Sequence, residues 1–244
     1  MTENPYETRR YLDEYLLFHY GQPRRVCPFG FVRPEFLRFH QRLRRECLLP
    51  VPNTGPASAL DIGCGVGRFT FELRRVTNRA LGLDSSRPFI DAARRMARNR
   101  TVTVRVAESG GQFLTRRLIL PRGLPSGAVK FETGDALDLG ALPEGGFQVV
   151  AAINLLCRLR SPRRFLQQVP RLVAPGGQFL IASPYSWLEE YTPSREWLTS
   201  RQVRELLRPG LRLRRRRDLP FVIREHRRKY QLVVSEVMVF VAPE

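Results

Sequence analysis

Residues 57–75 read ASALDIGCGVGRFTFELRR. An apolar run ends in Asp61, glycines fall at 63, 65 and 67, and an amphipathic stretch begins at once. That order predicts a strand, a tight glycine turn and a helix. Glycines let the backbone approach a ligand closely, and the N-terminus of the following helix faces that ligand. A dinucleotide fingerprint needs its third glycine three positions after the second, and here Gly67 follows Gly65 by two. A phosphate-binding P-loop needs Gly-Lys-Ser/Thr, which is also missing.

The downstream chain extends the pattern. ALGLD at 80–84 is a short apolar strand ending in an acid, and Ser85 and Ser86 can cap the next helix, RPFIDAARRMARN. VKFETGDALDL predicts a strand followed by Asp135 and Ala136; FQVVAAINLL is a fourth strand, and VAPGGQFLIASP a fifth. Together these motifs resemble the class I methyltransferases that use S-adenosylmethionine (SAM) and release S-adenosylhomocysteine (SAH). The resemblance implies an α/β, Rossmann-like fold with a seven-stranded, mostly parallel sheet whose last strand runs antiparallel. It also implies a cofactor site. Asp61 would lie near the cofactor ammonium, Gly63, Cys64, Gly65 and Gly67 around its amino-acid end, Asp84 at the ribose, and Asp135 and Ala136 at the adenine, with Ser85 and Asn154 also binding the cofactor.

The bulk properties bound the class. Among 244 residues, 43% are hydrophobic, enough for an ordinary core. No apolar run is long enough for a membrane span, and no signal-peptide stretch stands at the front, so a cytoplasmic protein is expected. The four cysteines lack zinc-ligand spacing and read as free thiols, and no metal is expected. The net charge of +18 suggests an anionic partner. Yet the arginines are spread through every segment and cluster only at 214–217, so a nucleic-acid partner is not expected.

Two regions flank the core. Residues 1–56 are expected to form a helical extension, with one helix over 4–20 and another over PEFLRFHQRLRRECLL, followed by the methyltransferase core at 57–244. Asn4, Pro5 and Glu7 look like a helix start and Gly21 a stop. Between the second and third core strands, residues 101–121 alternate around Gly110-Gly111 and predict a β-hairpin. A helix is expected at 194–208, then a sixth strand and KYQLVVSEVMVFVA as the seventh.

In open α/β sheets ligands bind beyond the carboxyl ends of the strands. After the fourth strand, Asn154-Leu155-Leu156-Cys157 does not match the Asp/Asn-Pro-Pro-aromatic motif of exocyclic-amine methyltransferases. After the fifth, SPYSWLEEYTP at 183–193 mixes aromatic rings and carboxylates, which suits a small cationic or zwitterionic molecule. NPYETRRYLDEYLLFHYG at 4–21 holds four of the seven tyrosines. These two stretches and REHRRKYQ, joined to LDIGCGVGR, resemble the ovothiol-pathway mercaptohistidine N-methyltransferases over almost the whole chain.

That resemblance implies methyl transfer from SAM to the imidazole Nπ of 5-mercaptohistidine, or of its selenium analogue. It implies Tyr15, His19 and Asn154 as catalytic candidates. Substrate would be met by Tyr6, Tyr11, Tyr15, Tyr20, Asn154, Arg158, Tyr185, Trp187, Glu190, Arg224 and Arg228. The tyrosine helix would be a lid over substrate, separable from a cofactor site on the core. Gln148 departs from the aspartate common after Phe147 in such proteins. The rival expectations are a methyltransferase acting on RNA or protein histidine, and a non-catalytic SAM-binding partner protein.

Overall fold

The computed structural model describes residues 5–51 and 55–244. Nine strands and seven α-helical segments are found among them. The strands are β1 (Ser58–Ile62), β2 (Arg79–Asp84), β3 (Thr101–Ala107), β4 (Phe113–Ile119), β5 (Val129–Thr133), β6 (Phe147–Ile153), β7 (Val173–Ser183), β8 (Arg212–His226) and β9 (Lys229–Val241). Seven of them form one sheet in the order β5-β2-β1-β6-β7-β9-β8. All neighbours from β5 to β7 are parallel, and β9 runs antiparallel between β7 and β8. This is the expected Rossmann-like sheet, with the last strand inserted before the sixth. Strands β3 and β4 pair separately as the expected antiparallel hairpin.

The period-two alternation of the central strands sorts residues onto two faces. Leu60, Ile62, Val150, Ala152, Phe179 and Ile181 point to one core, which also holds Phe165 and Leu166 of α6 (Pro162–Gln168) and Val203 and Leu207 of α7 (Ser200–Leu207). Ala59, Val149, Ala151, Leu180 and Ala182 point to the other, against Phe69 of α4 (Arg68–Leu73) and Phe39 and Leu43. β1 is buried along its full length, as a central parallel strand must be. Gln148 explains its own departure: its side-chain oxygen accepts from the Ser58 N–H at 2.7 Å, tying the starts of β1 and β6.

A third core joins the N-terminal region to the sheet's flank. Leu12, Leu16, Leu17 and Tyr20 of α1 (Arg9–Tyr20) pack with Val66, Phe71, the hairpin valines, and Phe89, Ile90 and Met96 of α5 (Arg87–Asn99). Each such buried leucine contributes about 1.5–3 kcal/mol of burial free energy. The helix starts later than its sequence punctuation suggests. Pro5–Glu7 form a 3-10 turn, and Thr8 is the N-cap, accepting from the Tyr11 N–H. Asn4 lies outside the described residues. Gly21 ends the helix in extended conformation, where a Cβ would meet the Leu17 carbonyl at 2.4 Å.

The next expected helix is broken three ways. Pro34–Leu37 is 3-10, α3 (Phe39–Arg42) is short, and Leu43–Cys47 is a π-turn. Phe39, His40, Leu43 and Cys47 all face inward across these segments. A short segment, α2 (Pro23–Val26), links α1 to this region. The helix expected at 194–208 is α only from Ser200, where Thr199 and Gln202 form a capping box.

Candidate active site

One cavity of about 750 Å³ opens above the carboxyl ends of β1, β2 and β6, within the range typical of ligand sites. The glycine loop forms its floor. Gly63, Gly65 and Gly67 all have positive φ, which glycine alone adopts without strain. A Cβ on Gly63 would strike Leu155 at 2.8 Å, and one on Gly65 would stand 3.4 Å from the His19 ring. Gly67 has a different task. Its Cβ would meet Phe131 at 2.6 Å, so it packs α4 on the sheet and does not line the cavity, contrary to its expected cofactor contact.

Two carboxylates frame the loop. Asp84 accepts from the Gly65 N–H at 2.8 Å with one oxygen and from the Ser86 N–H at 2.9 Å with the other. It therefore locks the turn, and burial raises its pKa despite those bonds. Asp61 is 1% exposed. One of its oxygens accepts from Thr70 at 2.7 Å, while Oδ1 has no partner. Burial, reinforced by Asp84, lifts its pKa to about 7. A buried carboxylate with an unpaired oxygen is suited to a cation, and an ammonium is of that kind. Ser85, Asp135 and Ala136 complete this side of the wall, together with Cys64, whose thiol burial pushes well above the ordinary range.

The opposite wall is α1 and the turn before it. Tyr6, Tyr11, Tyr15 and His19 all line the cavity. Tyr6 is the hub: its ring meets Tyr11, Tyr15 and Phe89 edge-on at 5.7–6.0 Å. Its carbonyl accepts from Ser86, and its hydroxyl accepts from Arg158 Nε at 3.0 Å. Arg158 also donates to the Ser186 carbonyl and lies 5.0 Å over the Tyr191 ring. Burial raises the pKa of Tyr15 well above its ordinary value and raises that of Tyr191 as well, so both rings stay neutral. Asn154, at φ +54, lines the cavity after β6, and its side-chain oxygen accepts from Ser235 at 2.6 Å. Glu190 stands at the exposed rim.

Five residues expected at substrate lie elsewhere. The Tyr20 hydroxyl donates to the Val66 carbonyl at 2.7 Å inside the core, fastening α1 to the glycine loop. Tyr185 donates to Glu236, which also pairs with Arg216. Trp187 packs on the core and donates to the Leu198 carbonyl. Arg224 is 5% exposed and clamps three carbonyls and Glu108. Arg228 is exposed in the β8–β9 turn. The oxygens that hold Tyr20, Tyr185 and Trp187 belong to the buried residues Val66, Glu236 and Leu198, and buried polar groups are paired in folded proteins.

Other residues line the cavity without having been singled out. Arg10, Glu14, Glu225 and Gln231 form its charged end, His40 stands beside His19, and Tyr191 joins Tyr6. Helical spacing carries the signal for Arg10 and Glu14, which share a face of α1 with Tyr11 and Tyr15. Among the described residues no helix is long and apolar enough to cross a membrane.

A Rossmann-like sheet of this order with a glycine-floored cavity above its carboxyl ends is the class I methyltransferase fold. The family described as a methyltransferase domain matches residues 60–181, half of the chain, and the chain belongs to that SAM-dependent family. It is similar to ajmaline N-methyltransferase of Rauvolfia serpentina, 25% identical over 81% of this chain and 60% of that protein. It is similar to a thiol S-methyltransferase of Homo sapiens, 28% identical over 55% of this chain and 47% of that protein. The chain thus spans about half to three-fifths of the length of these relatives. N-methyltransferase NodS from Bradyrhizobium japonicum WM9, solved with SAH, aligns over 97% of this chain and all of that chain at a TM-score of 0.58 and 16% identity. The [4+2]-cyclase SpnF aligns at 0.60 and 16% identity, over 97% of this chain and 96% of its own. At such identity the likeness is one of fold, and the cyclase marks that this fold serves several chemistries.

Proposed function

We propose that this protein transfers a methyl group from SAM to the imidazole Nπ of 5-mercaptohistidine or its selenium analogue. The observation that carries the reading is the Tyr6 hub, where four tyrosine rings and one arginine meet beside the glycine-floored cofactor wall. Tyrosine rings offer stacking surface to an imidazole, and Arg158 offers a cation to a substrate carboxylate. Glu190 and Glu14 supply acids for a substrate ammonium. The nitrogen acceptors named for ajmaline N-methyltransferase and NodS agree with a nitrogen acceptor here.

When bound, SAM supplies an electrophilic sulfonium methyl. This chain supplies position, and alignment of reacting atoms is worth roughly 7–11 kcal/mol. An imidazole is largely neutral at pH 7, since its pKa is about 6.5, so its nitrogen needs no strong base. His19 is unsuited to take the proton, because burial and nearby Arg68 lower its pKa to about 3. Asn154 has its oxygen engaged by Ser235, and its amide nitrogen has no protein partner among the described residues. That nitrogen can donate to the thiolate or selenolate of the substrate and orient the ring, leaving the Nπ lone pair free to attack. Tyr6 and Tyr11 then close the ring against bulk water.

Incubation with SAM and either histidine, 5-mercaptohistidine or its selenium analogue, read by tandem mass spectrometry, tests the proposal. A methyl group on Nπ of a chalcogen-substituted histidine is expected. Methylation of RNA or protein histidine instead, or tight SAM binding without turnover, would overturn it.

A further inference from the structure

His19 and His40 come from different helices, yet their rings meet at a centroid distance of 4.2 Å, tilted by 48°. Both are buried, at 8% and 6% exposure, and both line the cavity. Neither ring makes a hydrogen bond among the described residues, and Nδ1 of His19 is enclosed without a partner. Buried polar atoms in folded proteins are almost always paired, so two idle imidazoles at one wall call for a ligand. They are also held firmly. Phe18 packs against both rings at 5.0–5.3 Å, Phe39 touches His40, and Arg68 donates to the His19 carbonyl at 3.0 Å.

The surroundings say what kind of ligand. The His19 ring lies over Gly65, with Cε1 and Nε2 at 3.4 and 3.7 Å from where a Cβ would stand. The same cavity is lined by Asp61, whose Oδ1 is another buried and unpartnered atom. One carboxylate in need of a cation and two imidazoles in need of an acceptor, around a glycine turn, match an α-amino acid end group. Desolvation lowers the pKa of both histidines, so at neutral pH each ring is uncharged and still carries one N–H to donate. The field of Arg68 at this spot favours an anion.

We infer that His19 and His40 form the carboxylate subsite for the methionine end of the cofactor, donating hydrogen bonds to its carboxylate while its ammonium rests on Asp61. The inference rests on the cofactor reading above and deepens it. It makes α1 and α3 part of the cofactor site, and it removes His19 from proton transfer.

The test is calorimetry of two ligands on three proteins. SAH carries the carboxylate, and its decarboxylated analogue keeps the ammonium, thioether and nucleoside. On His19→Phe and His40→Phe, SAH should bind about tenfold more weakly or worse than on the wild type, the loss expected of one hydrogen bond to a charged group. The decarboxylated analogue should change by less than about twofold. Melting temperature is read on each variant, and if His19→Phe unfolds, His19→Gln is compared across the same two ligands. Equal losses for both ligands, or no loss for SAH, would refute the subsite while leaving the cofactor site intact. A wild-type protein that binds neither ligand refutes the cofactor reading itself, and the subsite with it.

Discussion

Two aromatic stretches, residues 6–20 and 183–193, look alike in the sequence and end in opposite places. The first is helical, so its spacing decides its direction: Tyr11, Tyr15 and His19 follow one another at four-residue steps down the cavity wall. The second is a loop without periodicity, and the nearest unsatisfied oxygen decides each ring. Tyr185 turns to buried Glu236 and Trp187 to the Leu198 carbonyl, and Pro184, Ser186, Leu188, Glu190 and Tyr191 are left to face the cavity. Aromatic content alone therefore says little about function; the hydrogen-bond partner of each ring says more.

The same contrast applies to the helix as a whole. A separable lid would touch the core lightly. Here Tyr20 donates to the glycine loop, Arg68 reaches back to the His19 carbonyl, and three leucines sit in a shared core. Deleting residues 1–21 is thus expected to abolish SAH binding and lower the melting temperature together. Retained SAH affinity in a folded truncation, measured by calorimetry, would restore the lid.

Within the cofactor wall, Asp84→Ala should have the next largest effect. It removes the acceptor of both the Gly65 and Ser86 amides as well as the ribose partner proposed for the cofactor. Loss of two bonds to a charged group, each worth about 1.5–3 kcal/mol, corresponds to about a hundredfold or more in SAH affinity. Unchanged affinity would remove Asp84 from the cofactor site.

A smaller, graded effect should follow pH. The pKa of Asp61 is raised to about 7 in the ligand-free protein, and a cationic ammonium favours its ionised form. Below that value the carboxyl must first lose its proton, so SAH affinity should fall as pH drops from about 8 to about 6, approaching tenfold per unit at the acid end. Asp84 shares the direction of shift. Asp61→Asn should bind weakly and flatten the profile; an unaltered profile in that variant would assign the titration elsewhere.

Much of this was legible beforehand. The strand, glycine turn and acidic strand ends are local signals, and local signals survive folding. Hence Asp61, Gly63, Gly65, Asp84 and Asp135 all reach one cavity. What the sequence hid depends on distant partners. Arg224 looks like a free cation beside a turn, but the carbonyls it clamps belong to residues 25, 26 and 107. His40 sits on an apolar stripe and reads as packing until α1 brings His19 against it. Gly67 shares the loop's spacing and its positive φ, yet the side chain that a Cβ there would strike is Phe131, far along the chain.

The most direct test pairs one tyrosine from each stretch. Tyr6→Phe removes the hydroxyl that meets Arg158, and Tyr185→Phe removes the one that meets Glu236. Turnover on 5-mercaptohistidine and melting temperature are measured on both. Tyr6→Phe should lower kcat/KM by about tenfold with little change in melting temperature, and Tyr185→Phe should lower melting temperature by several degrees with kcat/KM preserved. The reverse pattern, with Tyr6→Phe fully active and Tyr185→Phe inactive at unchanged stability, would contradict the placement of substrate against α1.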